Sequence, residues 1–305
     1  MQGSSPILPP PLRRGDCIGI FSPAGPVRDE GRLAAGIRLL HELGFRTRLP
    51  QGTGGNCDYL AADDQSRAAE LHALWADNDV QGLMAVRGGY GCLRILDHLD
   101  FSLLRARPKL LIGFSDLTVL LNAISARTGL VTVHGPMVST LADSDRESLQ
   151  ALTALFEGQL HEYPLSGQVE VLRRGKGTGV LRGGNLATLA HLLGTPWEID
   201  WHRALLFLED TGEPMYKIDR MLTQLHLAGR LNTLAGLVLG SFDCGEETGT
   251  ASLQEQVWGR VLELTAGSDY PIVGGFPLGH LRMNHPLPIG IPATLDCERG
   301  RLIMP

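Results

Sequence analysis

The sequence predicts an α/β fold: an N-terminal open parallel-sheet α/β domain, then a smaller C-terminal α+β, β-rich domain. Three observations predict it. Short apolar runs alternate with helical patterns through the first half, the helical period is lost between residues 157 and 179, and glycine, proline and short β-like runs dominate after Ile272. Such alternation is the rhythm of parallel strands covered by helices, because a parallel strand reaches its neighbour only through a long crossover.

Apolar runs at 17–21, 82–86 and 110–114 read as strands, and helical patterns follow them at 33–43, 92–99 and 117–124. Between the first two pairs, QSRAAELHALW (65–75) has the apolar spacing of an amphipathic helix. A short strand at 130–133 and a helix at 147–156 close this half. The stretch 157–179, EGQLHEYPLSGQVEVLRRGKGTG, mixes glycine, charge and proline as a linker or crossover does. The predicted division is therefore an N-terminal domain at 1–160, a linker at 161–179 and a C-terminal domain at 180–305. The last contains helices at 186–193 and 216–227, strands at 204–208 and 237–239, and β-like runs such as 289–295. Neither an internal repeat nor a low-complexity tract is visible.

With 305 residues, 43% of them hydrophobic, the chain can bury a substantial core, and two domains of roughly 150 residues each are expected. A net charge of -6 gives no basic footprint for nucleic acid. The five cysteines, Cys17, Cys57, Cys92, Cys244 and Cys297, are odd in number and lack C-x-x-C spacing, so they read as reduced thiols of a cytosolic protein. The proline-rich start ends in Arg13-Arg14 without an apolar stretch of signal-peptide length, and no segment approaches the roughly 20 apolar residues of a membrane span. The expectation is a cytoplasmic protein without membrane partners.

Three motifs carry chemistry. In KLLIGFSD (109–116) an apolar strand runs into Gly113-Phe114-Ser115-Asp116 and a helical pattern follows at once. A serine at such a turn is held exposed, and the next backbone N–H lies at a helix N-terminus, where it can stabilise an oxyanion. Leu117 stands where the usual G-x-S-x-G pattern has its second glycine, and an N-cap role for Ser115 is the plain alternative. In LLFLEDTGEP (205–214) a buried strand ends in Glu209-Asp210, with Glu213 competing for any catalytic part. The third motif, Gly274-Gly275-Phe276-Pro277-Leu278-Gly279-His280, presents a histidine suited to general-base work, with His285 and His134 as rivals. Glycine turns at Arg87-Gly88-Gly89-Tyr90-Gly91 and Arg182-Gly183-Gly184-Asn185 offer backbone N–H groups or simply turns of positive φ. Neither is a nucleotide signature.

Taken together, VRGGYG, IGFSDLT, VHGPM, LRGGNLATLAHLLGTPW, LFLEDTGEPMYKIDRMLTQL, GLVLGSF and GGFPLGHLRMNHPLPIG resemble the serial motifs of the LD-carboxypeptidase family. That family also contains the microcin C immunity hydrolases. The resemblance runs from Gly15 to about Asp296. It implies a serine hydrolase with its site at the junction of the two domains. Its nucleophile falls on Ser115, its acid on Glu209 with Glu213 the alternative, and its histidine on His280. The N–H groups of Asp116 and of the Gly88-Gly89-Tyr90 turn, Gly89 foremost, would form the oxyanion hole. The implied substrate is a murein tetrapeptide cut before its terminal D-alanine, with no metal or cofactor, and a homodimer is the expected assembly.

A carboxypeptidase must also hold a free carboxylate, for which Arg87 and Arg282 are the candidates, joined by Tyr90 and Asn185 in the glycine turns. Two other functions remain open. One is an immunity-type hydrolase acting on an adenylate-like amide, which the compact chain disfavours. The other is a small-anion binding module without chemistry.

Overall fold

The structure is a computed structural model that describes residues 5–49, 58–244 and 252–305, so Cys57 lies outside the described residues. The chain divides into two units, Met1–Leu160 with His285–Gly290, and His161–Asn284 with Ile291–Pro305.

In the first unit the apolar runs become β1 (Cys17–Phe21), β3 (Val80–Ala85), β4 (Leu110–Gly113) and β5 (Thr132–His134), with the short β2 (Arg46–Arg48) at one edge. β2, β1, β3, β4 and β5 lie parallel in that order, and β12 (Leu287–Ile289) adds an antiparallel strand beside β5, Leu287 opposite His134. Every residue of β1 and β4 is buried, as in sheets covered on both faces. On one face Ile18, Ile20, Met84 and Ile112 pack with Leu40 of α1 (Glu30–Glu42), Val138 of α6 (Val138–Leu141) and Leu152 and Phe156 of α7 (Arg146–Phe156). α2 (Asp64–Ala76) packs behind Gly19, where a Cβ would lie 3.2 Å from Leu74, and α3 (Cys92–Ile95), α4 (Phe101–Ala106) and α5 (Leu117–Thr128) pack with it. α5 is buried nearly all round, so its sequence is apolar without a stripe. Asp29, Asp63, Asp100 and Asp145 start four of these helices by accepting backbone N–H bonds. Strand order reverses direction at β1 and β3, and such sheets bind ligands at the carboxyl ends of the strands beside that point.

The second unit is built on four parallel strands, β8 (Lys176–Asn185), β9 (Ala204–Thr211), β10 (Gly236–Asp243) and β11 (Ile272–Gly274). Antiparallel strands extend both edges: β7 (Glu170–Arg173) beside β11, and β13 (Pro292–Asp296), β14 (Arg301–Ile303) and β6 (Glu162–Pro164) beyond β8. Its helices are α8 (Leu186–Ala190), α9 (Met215–Leu227) and α10 (Leu253–Leu264), the last with a Ser252–Glu255 capping box and no counterpart in the sequence reading. Among the described residues no helix is long and apolar enough to cross a membrane.

The expected linker at 161–179 is instead β6, β7 and the start of β8. β6 buries only Tyr163 and β7 buries no residue, and at three and four residues both are too short for alternation to register. The glycines that suggested a loop are required by close packing: a Cβ on Gly177 would lie 1.8 Å from the Ala235 carbonyl oxygen, and one on Gly179 2.0 Å from that of Arg203. The C-terminal domain is also not continuous from 180 to 305, because strand pairing of β12 with β5 takes His285–Gly290 into the first unit. Likewise Arg182-Gly183-Gly184-Asn185 is the end of strand β8 rather than a tight turn. Gly183 passes so close to β9 that a Cβ would lie 2.0 Å from the Phe207 oxygen.

Candidate active site

In the first unit β4 delivers the chain through Phe114 to Ser115, whose φ is +64°, and α5 begins at Leu117 with Asp116 at its N-cap. A left-handed non-glycine residue costs about 1–2 kcal/mol, and such strain gathers where geometry serves function. No side-chain hydrogen bond caps α5, so Ser115 is not held there as a cap. Its carbonyl accepts from Thr118 N at 2.9 Å, placing the serine one step outside the helix. Leu117 explains the departure from the double-glycine pattern: its buried side chain covers Gly113, where a Cβ would lie 2.4 Å from Leu117 Cδ2.

β3 is the parallel neighbour of β4, and its carboxyl end carries the turn Arg87 to Gly91. A Cβ on Gly88 would lie 2.8 Å from Ser115 Cβ, 2.9 Å from its Oγ and 3.5 Å from Asp116 N. Only glycine lets this backbone run beside the hydroxyl, and Gly89 (φ +124°) and Gly91 (φ +131°) shape the rest of the turn. Thus Ser115, Asp116 and the Gly88–Gly89 backbone are brought together within one unit. Tyr90 is exposed and rests 5.7 Å, ring to ring, from Tyr59. Arg87 is half-buried, donates to the Pro26 carbonyl at 3.3 Å, and has its pKa held below the usual value by burial and then by the Arg28 charge.

In the second unit β9 is buried from Ala204 through Asp210. Glu209, fully buried, places Oε2 2.7 Å from His280 Nδ1. The loop after β11 reaches Glu209 because Gly279 (φ +110°) has no side chain; a Cβ there would lie 2.5 Å from Ser241 Oγ and 2.9 Å from Glu209 Oε2. Two further bonds pin the loop, Ser241 N to the Leu278 carbonyl at 3.0 Å and Gly279 N to Asn284 Oδ1 at 3.1 Å. Burial draws the His280 pKa down, but the Glu209 charge and hydrogen bond, with the Asp210 and Asp243 charges, outweigh it and raise the ring above its ordinary 6.5. A carboxylate at Nδ1 favours the tautomer that leaves Nε2 as the accepting nitrogen.

Glu213 faces a different partner, an ion pair with Lys217 at 3.0 Å. Asp210 points away from Glu209 along the strand and takes the N-terminus of α8, accepting from Ala187 N at 2.8 Å, Thr211 N at 2.8 Å and Asn185 Nδ2 at 3.2 Å. Burial, and then the Glu209 charge, push Asp210 up to about 6. Asn185 is committed to the same cap, accepting from Thr188 N at 3.0 Å. Arg282 is exposed. Of the rival histidines, His134 is fully buried with its ring edge-on to Phe114, and His285 belongs to the first unit, where burial lowers its pKa.

Sequence reasoning missed Arg67 and the Asp116 carboxylate. Asp116 Oδ2 accepts from Cys92 N at 2.8 Å, and the fully buried Arg67 donates to the Gly91 carbonyl at 2.9 Å. The amphipathic spacing of α2 gives no sign that its one arginine faces inward.

Residues 18–135 match the model of the LD-carboxypeptidase N-terminal domain, and residues 178–295 that of the LD-carboxypeptidase C-terminal domain. The probable murein peptide carboxypeptidase of Bacillus subtilis (strain 168) is 38% identical over 298 residues, covering 94% of this chain and 91% of the relative. Muramoyltetrapeptide carboxypeptidase from Oxalobacter formigenes, a solved structure, superposes with a TM-score of 0.78 at 29% identity, covering 94% of this chain and 97% of that one. The microcin C7 self-immunity protein MccF of Escherichia coli is 28% identical, covering 99% of this chain and 96% of the relative. A structure of MccF in complex with glutamyl sulfamoyl guanosine superposes with a TM-score of 0.89 at 25% identity, covering 98% of this chain and 99% of that one.

Proposed function

The chain belongs to the LD-carboxypeptidase family, and on that premise we propose that it is a serine carboxypeptidase releasing the terminal D-alanine of murein tetrapeptides. The observation that carries the reading is the strained backbone of Ser115, φ +64°, at the carboxyl end of a parallel strand and beside the Gly88–Gly89 backbone. In this reading Ser115 attacks the scissile carbonyl and His280 accepts its proton. The N–H groups of Asp116 and Gly89 hold the oxyanion, and His280 returns the proton to the departing D-alanine amine. Water then releases the acyl-enzyme by the same steps in reverse roles. Glu209 keeps the imidazole in the productive tautomer and stabilises its protonated form. The proposal includes a cytoplasmic role in cell-wall recycling and recognition of the substrate carboxylate by Arg87 or Arg282.

The test is mass spectrometry of L-Ala-γ-D-Glu-meso-diaminopimelate-D-Ala incubated with the parent protein and with Ser115→Ala. D-Alanine released by the parent alone supports the reaction and the nucleophile; release by both rejects Ser115 as the nucleophile, and release by neither rejects this substrate. A second reading is favoured by the superposition with MccF: cleavage of an acidic aminoacyl amide on a sulfamoyl nucleoside. Sequence identity points the other way, 38% to the murein peptide relative against 28% to MccF. Glutamyl sulfamoyl adenosine offered in parallel distinguishes them by which amide is cut.

A further inference from the structure

Three carbonyls end on one buried guanidinium. Arg67, on α2, has a side chain with no exposed surface. Its Nη1 donates to the Gly91 carbonyl at 2.9 Å and also to the Pro23 carbonyl, its Nε donates to the Ala62 carbonyl at 3.1 Å, and its Nη2 meets Asp64. Pro23 lies in the loop that follows β1, and Gly91 closes the glycine turn that follows β3. The same loop touches the turn again, where Gly25 N donates to the Gly88 carbonyl at 3.3 Å. Glycine at 91 is needed for this grip, since a Cβ there would lie 2.6 Å from Arg67 Nη1.

The peptide group joining Gly91 to Cys92 is held at both ends. Its oxygen takes the Arg67 bond, and its N–H donates to Asp116 Oδ2 at 2.8 Å. Asp116 is itself the residue after Ser115. A continuous path of fixed groups therefore runs from α2 through one peptide to the elbow. It binds the turn that carries Gly89 to the residue whose own N–H is the other proposed oxyanion donor. Oxyanion donors act by being aimed in advance, and a small misplacement of either loses the benefit.

We propose that Arg67 is a positioning residue that locks the 88–91 turn to the Ser115–Asp116 elbow through the Gly91–Cys92 peptide and the Asp116 carboxylate, an inference that rests on the serine-hydrolase reading above. Lysine at 67 keeps the charge but has one nitrogen in place of three, so it cannot reach acceptors spread over Nε, Nη1 and Nη2.

The experiment measures the rate at which a fluorophosphonate phosphonylates Ser115, a reaction that needs the nucleophile and the oxyanion donors but no cell-wall substrate. The serine oxygen bonds to phosphorus, fluoride leaves, and the hydroxyl proton passes to the base. Arg67→Lys is expected to label about 10- to 100-fold more slowly per folded molecule, and in D-alanine release to lower kcat with KM unchanged. Asp116→Ala is expected to do the same, with Asp116→Asn restoring most of the rate because its amide oxygen still accepts from Cys92 N. The Arg67→Lys/Asp116→Ala double variant should fall no further than the slower single, as groups acting through one peptide do. Parent protein that is not labelled at Ser115 rejects the serine-hydrolase reading. A labelled parent with Arg67→Lys labelled equally fast, or singles whose losses multiply, overturns the positioning role alone. Should Arg67→Lys not fold, the Asp116 pair reads the same path from its other end, and equal rates for Asp116→Ala and the parent overturn it.

Discussion

Replacing Glu209 by glutamine removes one charge while keeping the shape of the side chain, and the consequences can be followed through the dyad. Burial alone pulls the His280 pKa down, and it is the Glu209 charge and the 2.7 Å bond to Nδ1 that chiefly lift the ring above 6.5. In Glu209→Gln only the more distant Asp210 and Asp243 charges remain to oppose burial, so the ring pKa falls. The amide also stops dictating the tautomer: its NH2 group can face Nδ1, which leaves the proton on Nε2, the nitrogen that the proposed mechanism needs as an acceptor. Loss of the correct tautomer in a serine triad costs ~10⁴-fold in kcat, which is about 5.5 kcal/mol of transition-state stabilisation. The assay is D-alanine release from pH 5 to 9, with the His280 ring followed by NMR in parallel. In the parent, kcat/KM rises with pH as His280 deprotonates, with its midpoint above 6.5; in Glu209→Gln the midpoint moves to lower pH and the plateau drops. A midpoint that stays put or moves up, or a kcat within about tenfold of the parent, refutes this account of how Glu209 acts.

Three further outcomes follow from separate features. Ser115→Gly is expected to be more stable than Ser115→Ala by about 1 kcal/mol in denaturant unfolding, because only glycine relieves φ +64° and both lack the hydroxyl. Glu70 is buried, accepts from Ser22 N at 3.0 Å, and is pushed by burial from its ordinary 4.5 to about 7. Folding therefore favours its protonated form, a contribution complete below pH 4.5 and lost as pH rises through 7, worth about 3 kcal/mol over that window. Glu70→Gln, which is neutral throughout, should raise the unfolding free energy at pH 8 and leave it little changed at pH 4.5, so an equal effect at both would sink the assignment. Gly177→Ala drives a Cβ to 1.8 Å from the Ala235 oxygen and should cost about 3 kcal/mol, read as a lower Tm; a neutral result would mean that β8 sits farther from its neighbour.

What the sequence reveals, and what it hides, follows from where each residue finds its partner. The parallel core of the first unit is legible because strands buried on both faces must be apolar throughout, as CIGIF and LLIG are. Ser115 and Glu209 are legible for a related reason, each being a polar residue that ends an apolar run at the carboxyl end of a strand. α10 is legible too, through Ser252 and Glu255 three apart and Val257, Val261 and Leu264 on one face, although the sequence reading above omits it. The edge strands β6 and β7 are not, because strands of three and four residues are too short for alternation to register and β7 buries none of its residues, and Gly177 and Gly179 look like loop glycines until the crossing backbone is seen. β12 is a three-residue strand whose partner, β5, lies about 150 positions earlier, a pairing no local pattern encodes.

Arg67 is the sharpest case. Amphipathic periodicity assigns a charged residue of α2 to solvent, and that inference is sound only when the alternative is an apolar interior. Here the interior facing α2 is main-chain oxygen from Pro23, Ala62 and Gly91, which a guanidinium satisfies and an apolar side chain would strand. The position of the Gly91 oxygen is set by a turn whose own shape depends on the glycines at 88, 89 and 91. The arginine and the glycine turn therefore depend on each other: the Gly91 carbonyl is one of the acceptors that make burial of a charge tolerable, and the charge holds the turn where Ser115 has room for only a hydrogen on Gly88. A residue whose acceptors are mostly backbone leaves little mark on hydropathy or on motif spacing, which is why the proposed nucleophile can be read from eight consecutive residues and its support cannot.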